Sequence, residues 1–331
     1  MTLPRSRIHA NKLGGLASAI AEVGMLNYPA DASLHHFFRA HPEMGQQDRA
    51  FIAEGTFAYL RRRRSLEALA ESNDARKLAL AVAVRDFHAS VRDIEGAINM
   101  AESAWLSAFK SRMHTPLPPA VEADVPDWLW DRLGEVYGDD RASYAKAWQS
   151  PAPLDLRVNP MTASRDDVLA QLRAEDIDAA ATPYSPLGIR VQGRPQLSRH
   201  PLVADGRVEV QDEGSQLIGF ALAPRRGEMI ADFCAGAGGK TLLLGALMRS
   251  SGRLYAFDVV DKRLANLKPR LARSGLSNVH PQLLTSERDA KVKRLAGKLD
   301  RVRVDALCTG FGTLRRNPDL KWRQTAKDLA E

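Results

Sequence analysis

The chain is 331 residues long and 44% hydrophobic, which excludes a disordered or low-complexity protein and leaves room for two or three domains. Its 47 Lys and Arg against 40 Asp and Glu give a formal charge of +7, which suits a polyanionic partner, nucleic acid ahead of an anionic membrane surface. Two cysteines exclude a disulfide framework, so a reduced, cytoplasmic protein is expected.

The start, MTLPRSRIHANKLGGLASAIAEVG, is broken by charge and reads as no signal peptide. No later segment approaches the roughly 18 uninterrupted apolar residues of a membrane span. Residues 1 to about 112 carry helical periodicity. In QDRAFIAEGTFAYLRRRRSLEALAE, Phe51, Phe57 and Leu60 fall on one side with charges opposite. The run Arg61 to Arg64 reads as a solvated helix end in preference to an RNA contact. Among the histidines, His35 and His36 would point about 100° apart on a helix and His41 lies further on, so no metal site is expected.

HTPLPPAVEADVP, with four prolines, marks a linker. Beyond residue 150 the texture becomes strand and helix. PLDLRVNP reads as a strand, and SRDDVLAQLRAEDI as a helix opened by Ser164 with Asp167 three residues on. GIRVQ and GRVEVQ read as short strands of a small α/β subdomain. From 208 the order is strand, helix, strand, helix, as in a parallel sheet. EMIADF, RLYAFDV, NVHPQLL and DRVRVDA are the strands. GGKTLLLGALMRS, DKRLANLKPRLARSG with Gly275 at its end, and RDAKVKRLAGK are the helices.

Cys234 and Cys308 fall just past the ends of the first and last of these strands, the edge where open α/β sheets bind ligands. Either cysteine taken alone reads better as a small buried apolar residue. DFCAGAGGKT fails the P-loop pattern, because Cys234 stands where its first glycine belongs. It half-matches the dinucleotide fingerprint at Gly236 and Gly238 but meets Thr241 at the third glycine, which leaves an oxidoreductase as a remote reading. The third interpretation is an S-adenosylmethionine loop, with Asp258 at the end of the next strand for the ribose hydroxyls. Asp232, Asp258, Asp289 and Asp305 recur at one edge of successive strands, a recurrence that lifts them above turn or cap residues.

VQDEGSQL, DFCAGAGGKT, AFDVVDKRLANL, ERDAKVKRLAGKLDRV and VDALCTGFGTLRRNPDLKWR resemble, in order, the blocks of the RsmB/Nop/Sun group of RNA cytosine-5 methyltransferases. QDRAFI and the basic helix after it resemble a NusB-type RNA-binding domain, and LRVNPMTASRDDVLAQL is similar to the small domain preceding such cores. The resemblance implies a helical NusB-like domain over 1–125, a small α/β subdomain over 126–207 and a Rossmann-like methyltransferase core over 208–331. It implies S-adenosylmethionine held by Cys234, Ala235, Gly236, Ala237, Gly238, Gly239 and Lys240, with Asp258 on the ribose and Asp289 near the adenine. Asp305 would lie near the methyl donor and the target base. The substrate would be a cytosine of ribosomal or transfer RNA flipped from its stack, and the protein a monomer. Carbon 5 of cytosine becomes nucleophilic only after a thiolate adds to carbon 6, and the cations of TLRRNPDLKWR would supply that thiolate while gripping phosphates.

The chain departs from the family pattern at three points. The family's attacking cysteine lies in a later Thr-Cys-Ser block, absent from these 331 residues, so the expectation is a core whose last strands are missing, with an uncovered edge and impaired chemistry. In that pattern the residue matching Cys308 assists product release; in this chain Cys308 could attack instead. Leu307 replaces the usual proline of Asp-Ala-Pro-Cys, losing its fixed φ. Arg303 stands mid-strand where an apolar residue is expected, and unpaired there it would cost several kcal/mol. A non-catalytic RNA-binding protein remains the second reading.

Overall fold

The computed structural model describes residues 7–330 except Arg194 and Leu307. Leu307, noted above for replacing a proline, and Glu331 therefore lie outside the described residues. The chain forms two compact units, residues 7–152 with 309–330, and residues 153–308. This division differs from the expected one at 125 and 207. Ala123, Val125, Leu129, Leu133 and Ala145 form one cluster with Trp128, Trp148 and Phe311, which keeps 126–150 and the start of the tail with the helices.

The first unit is helical throughout its described residues. Helix Ala10–Val23 buries Leu13, Leu16, Ile20 and Val23, spacing that makes one apolar stripe. Helix Ala75–Arg85 buries every residue from Leu78 to Val84, as a central helix enclosed on all sides must. The arginine run is neither a solvated end nor a free cationic surface. Arg61 is buried, Arg62 pairs with Asp86 at 3.0 Å, Arg63 with Glu67 at 3.0 Å, and Arg64 with Asp127 at 2.8 Å and the Val125 carbonyl at 2.7 Å. The run straddles the bend between helices Gln46–Arg61 and Arg63–Ala70, so its side chains fan out to elements packed around that bend.

Residues 309–330 supply donors to this unit. Helix Gln46–Arg61 ends with carbonyls that have no partner within the helix. Trp322 Nε1 donates to the Leu60 carbonyl at 2.6 Å and Lys321 Nζ to the Arg61 carbonyl at 2.9 Å. Asp319 in turn accepts from the backbone N–H of Ala30, at the start of helix Ala30–Ala40. Within TLRRNPDLKWR, expected to grip phosphates, three of the cations are engaged inside the unit. Arg315 donates to the carbonyls of Ser150 and Pro151, Arg323 pairs with Asp319, and Lys321 is buried.

The second unit holds two sheets. Strands β1 (Leu154–Val158), β2 (Ala179–Ala181), β3 (Gly188–Val191) and β4 (Val208–Val210) form an antiparallel sheet of order β2-β3-β1-β4. Helix Arg165–Ala174 covers it, with Ser164 accepting from the Asp167 N–H as its cap predicts. The alanine strand β2 carries no sequence signal. Strands β5 (Met229–Phe233), β6 (Arg253–Asp258), β7 (Val279–Leu283) and β8 (Arg301–Val304) are all parallel, in the order β7-β6-β5-β8. Ile230, Leu242, Leu254, Leu264 and Leu267 fill a core beside this sheet, and Ala231, Phe257 and Leu284 a second one. The helix expected over 288–298 shrinks to Ala290–Lys293. Its successor turns at Gly297 with φ +71°, and Leu295 and Leu299 pack on the second core from that turn. No helix among the described residues is long and apolar enough to cross a membrane.

Candidate active site at the switch point of the parallel sheet

β6 and β7 extend the sheet to one side of β5, and β8 lies on the other. Chain connections therefore diverge between β5 and β8, and the crevice beyond their carboxyl ends is the general ligand site of such sheets. The loop after β5 fills one side of that crevice. Cys234, Gly236 and Gly238 all take positive φ, at +56°, +59° and +79°, coiling the backbone tightly into helix Gly239–Leu247. A Cβ on Gly238 would meet Leu267 at 2.1 Å, so glycine is required there by packing. A Cβ on Gly236 would enter open space, so the backbone at that position faces the crevice.

Asp258 closes β6 and accepts from the Gly236 N–H through one oxygen and from the Val260 N–H through the other, both at 2.9 Å. Each oxygen keeps a second lone pair for a hydroxyl donor. The loop's carbonyls are held from behind. Arg270 donates to the Ala237 carbonyl at 2.7 Å, and Arg157 of β1 to the Gly239 carbonyl. Arg157 is buried, which pushes its pKa down to about 10, and it remains charged at neutral pH. Glu209 of β4 pairs with both Arg270 and Arg273. The antiparallel sheet thus acts as a brace for the loop.

The other side of the crevice is built after β8. Asp305 accepts from Lys240 Nζ at 2.8 Å and pairs with Arg303. Partial burial acts to raise the Asp305 pKa, but the Lys240 hydrogen bond and the Arg303 charge outweigh it, and the group titrates below the ordinary aspartate range. Arg303 is indeed buried mid-strand, but it is not unpaired. Its guanidinium also holds Asp232, which accepts from Thr241 Oγ1 at 2.6 Å. Burial raises the Asp232 pKa against the opposing pull of Arg303 and Thr241.

Of the four acids expected along one edge, Asp258 and Asp305 are at the crevice. Asp232 lies within β5 and is fully buried, on a sheet face that it shares with Arg303 and where Thr241 of helix Gly239–Leu247 reaches it. Asp289 caps helix Ala290–Lys293, accepting from the N–H groups of Thr285 and Lys291, bonds that lower its pKa to about 2. Cys234 and Cys308 are both exposed and follow the adjacent strands β5 and β8. Partial desolvation raises the Cys234 pKa, and the carboxylates of Asp258 and Asp305 raise it further, so this sulfur is held as a thiol. Sequence reasoning missed Arg157, Arg270 and Thr241. The signal for the first was present, since Asp155 and Arg157 put charges on a strand whose every residue after Leu154 is buried.

A parallel sheet of this order, with a glycine loop after its first strand and an acid closing its second, defines a Rossmann-like nucleoside-binding unit. Residues 219–331 match the family described as 16S rRNA methyltransferase RsmB/F, and residues 125–197 the RsmF/B-like ferredoxin-like domain. Over these two segments the chain is similar to the RsmB/F members of the RsmB/Nop/Sun family. It is 35% identical over 210 residues to the probable ribosomal RNA small subunit methyltransferase B of Synechocystis, covering 62% of this chain and 46% of that protein. The chain spans about half the length of the curated relatives it matches. The crystal structure of PH0851 is similar over 100% of this chain and 80% of its own, with TM-score 0.72 and 22% identity, a likeness of fold that includes the N-terminal helices expected to be NusB-like. A methyltransferase homolog protein from Pyrococcus horikoshii is 30% identical, with TM-score 0.54 over 60% of this chain and 64% of that one.

Proposed function

We propose that this chain is an S-adenosylmethionine-dependent RNA methyltransferase acting on carbon 5 of a cytosine, in ribosomal RNA ahead of transfer RNA. The supporting observation is the pairing of two half-sites at one switch point: Gly236 with Asp258 after β5 and β6, and Lys240 with Asp305 beside β8. The loop Cys234 to Lys240 and Asp258 suit a nucleoside, through an exposed glycine backbone and a carboxylate with free lone pairs. Asp289, in the turn after β7, is assigned to the adenine side. S-adenosylmethionine supplies an electrophilic methyl group when bound there.

The chain's own residues prepare the base. Cys308, as a thiolate, adds to carbon 6 of the cytosine and converts carbon 5 into an enamine nucleophile. Asp305 and Lys240, locked together at the lip, orient the ring by hydrogen bonds to its polar edge. A base then removes the carbon 5 proton, and the Sγ–C6 bond breaks to restore the ring. Cys234 is unsuited to the addition because its thiol is held protonated.

Methyl transfer from radiolabelled S-adenosylmethionine to unmodified small-subunit ribosomal RNA, followed by nucleoside analysis, is the test. The expected product is 5-methylcytidine, and Cys308→Ser should lower transfer at least about a hundredfold. RNA binding without transfer by the unaltered chain would favour a non-catalytic RNA-binding protein; label on another base atom would refute the cytosine-5 assignment.

A further inference from the structure

Arg303 has no part in the chemistry above, yet it touches a residue that does. Its place follows from strand register. Arg303 is the direct partner of Asp232 across the β5–β8 pair, so the two side chains share a face. Asp305, two residues further on, returns to that face by the period of two. Arg303 can therefore reach both carboxylates, and it does. Lys240 and Thr241, adjacent at the start of helix Gly239–Leu247, close the arrangement by donating to Asp305 and Asp232 respectively. Thr241, Asp232, Arg303, Asp305 and Lys240 thus form a ring of charge-assisted bonds with its base in the sheet and its top at the crevice.

Neutralising Asp232 does not by itself explain this geometry. A guanidinium serving only that buried carboxylate would commit its fork to it. Instead one terminal nitrogen goes to Asp232 and the other to Asp305, whose side chain is 46% exposed, while the buried Nε has no partner among the described residues. Lysine, with a single ammonium, could not span the two carboxylates with the same planar rigidity.

We propose that Arg303 is a positioning residue that anchors on Asp232 and fixes the Asp305 carboxylate against Lys240 at the lip of the crevice. The inference rests on the reading of Asp305 as a group of the methyl-transfer site. Arg303→Met alone strands the Asp232 carboxylate in the sheet and is expected to impair folding, so the working variant is Asp232→Asn with Arg303→Met. Three quantities are measured on the folded variant: the carboxyl carbon NMR titration of Asp305, calorimetric affinity for S-adenosylmethionine, and the steady-state constants. The Asp305 titration should rise toward the ordinary aspartate range. kcat should fall tenfold to a hundredfold, as for a misplaced reacting group, while affinity for S-adenosylmethionine changes less than about threefold. Arg303→Lys, with Asp232 intact, should recover part of kcat. An unmoved Asp305 titration overturns the proposal, as does a full kcat in an active enzyme whose Asp305 titration has risen. Should the unaltered chain transfer no methyl group at all, the methyltransferase reading fails separately, and the titration alone decides whether Arg303 holds Asp305.

Discussion

Lys321 illustrates how burial changes the meaning of a charge. Its ammonium is buried in the helical unit, facing Asp124, Arg61 and Arg62, and desolvation lowers its pKa from the model-compound 10.5 to about 7, with the two arginines adding to the effect and Asp124 opposing it. Burial raises the Asp124 pKa too, although Ser65 donates to it through both N–H and Oγ. Between pH 7 and the ordinary lysine range the unfolded chain holds a proton that the folded chain has released, so stability rises with pH on account of Lys321. That contribution is lost as the pH falls back through about 7. Urea unfolding at pH 7 and pH 9 should show the gain, and Lys321→Met should reduce it by about 2 kcal/mol. All five tryptophans lie in the helical unit, so their fluorescence reports it specifically. Equal pH slopes for the two proteins would show that Lys321 stays charged in the fold.

The glycine loop shows two constraints acting within three residues of one element. Gly236 and Gly238 both take a left-handed conformation that costs an alanine about 1–2 kcal/mol. Only Gly238 also abuts the buried Leu267, where an added methyl forces repacking worth roughly another 1–3 kcal/mol. Gly238→Ala should therefore lower the melting temperature more than Gly236→Ala. Gly236→Ala, whose methyl would enter the crevice, should weaken S-adenosylmethionine binding at least about tenfold with the smaller thermal loss. Calorimetry and thermal melts on both variants separate the effects, and a reversed order would mean that the crevice does not hold the nucleoside at Gly236.

The whole molecule assigns its tail against sequence order. After β8 the chain leaves the sheet-containing unit at Cys308 and rejoins the helices, where Trp322 and Lys321 cap the end of helix Gln46–Arg61. Trp322→Ala should raise amide exchange at the end of that helix and in Arg63–Ala70 by about tenfold, while β5 to β8 keep their protection. Faster exchange in the strands instead would show that the tail stabilises the sheet.

Much of this was legible in the residues. The strands β1 and β3 to β8, the Ser164 cap, the glycine loop and the crevice pair of Asp258 and Asp305 follow from periodicity, capping chemistry and the rule that ligands gather where strand order reverses, all of which are local or topological. What the order of residues could not disclose was partnership. The arginines at 61 to 64 and 303 and the lysine at 321 read as solvated, phosphate-gripping or misplaced charges and Asp232 as an acid of the ligand edge, because a charge is recognisable from its neighbours in the chain but its counter-charge is chosen by the fold. Arg303 meets Asp232 only when strands 71 residues apart pair in one register. Residue order set which groups carry charge, and the tertiary structure decided which of them are neutralised, which stay at the crevice, and to which unit the tail belongs.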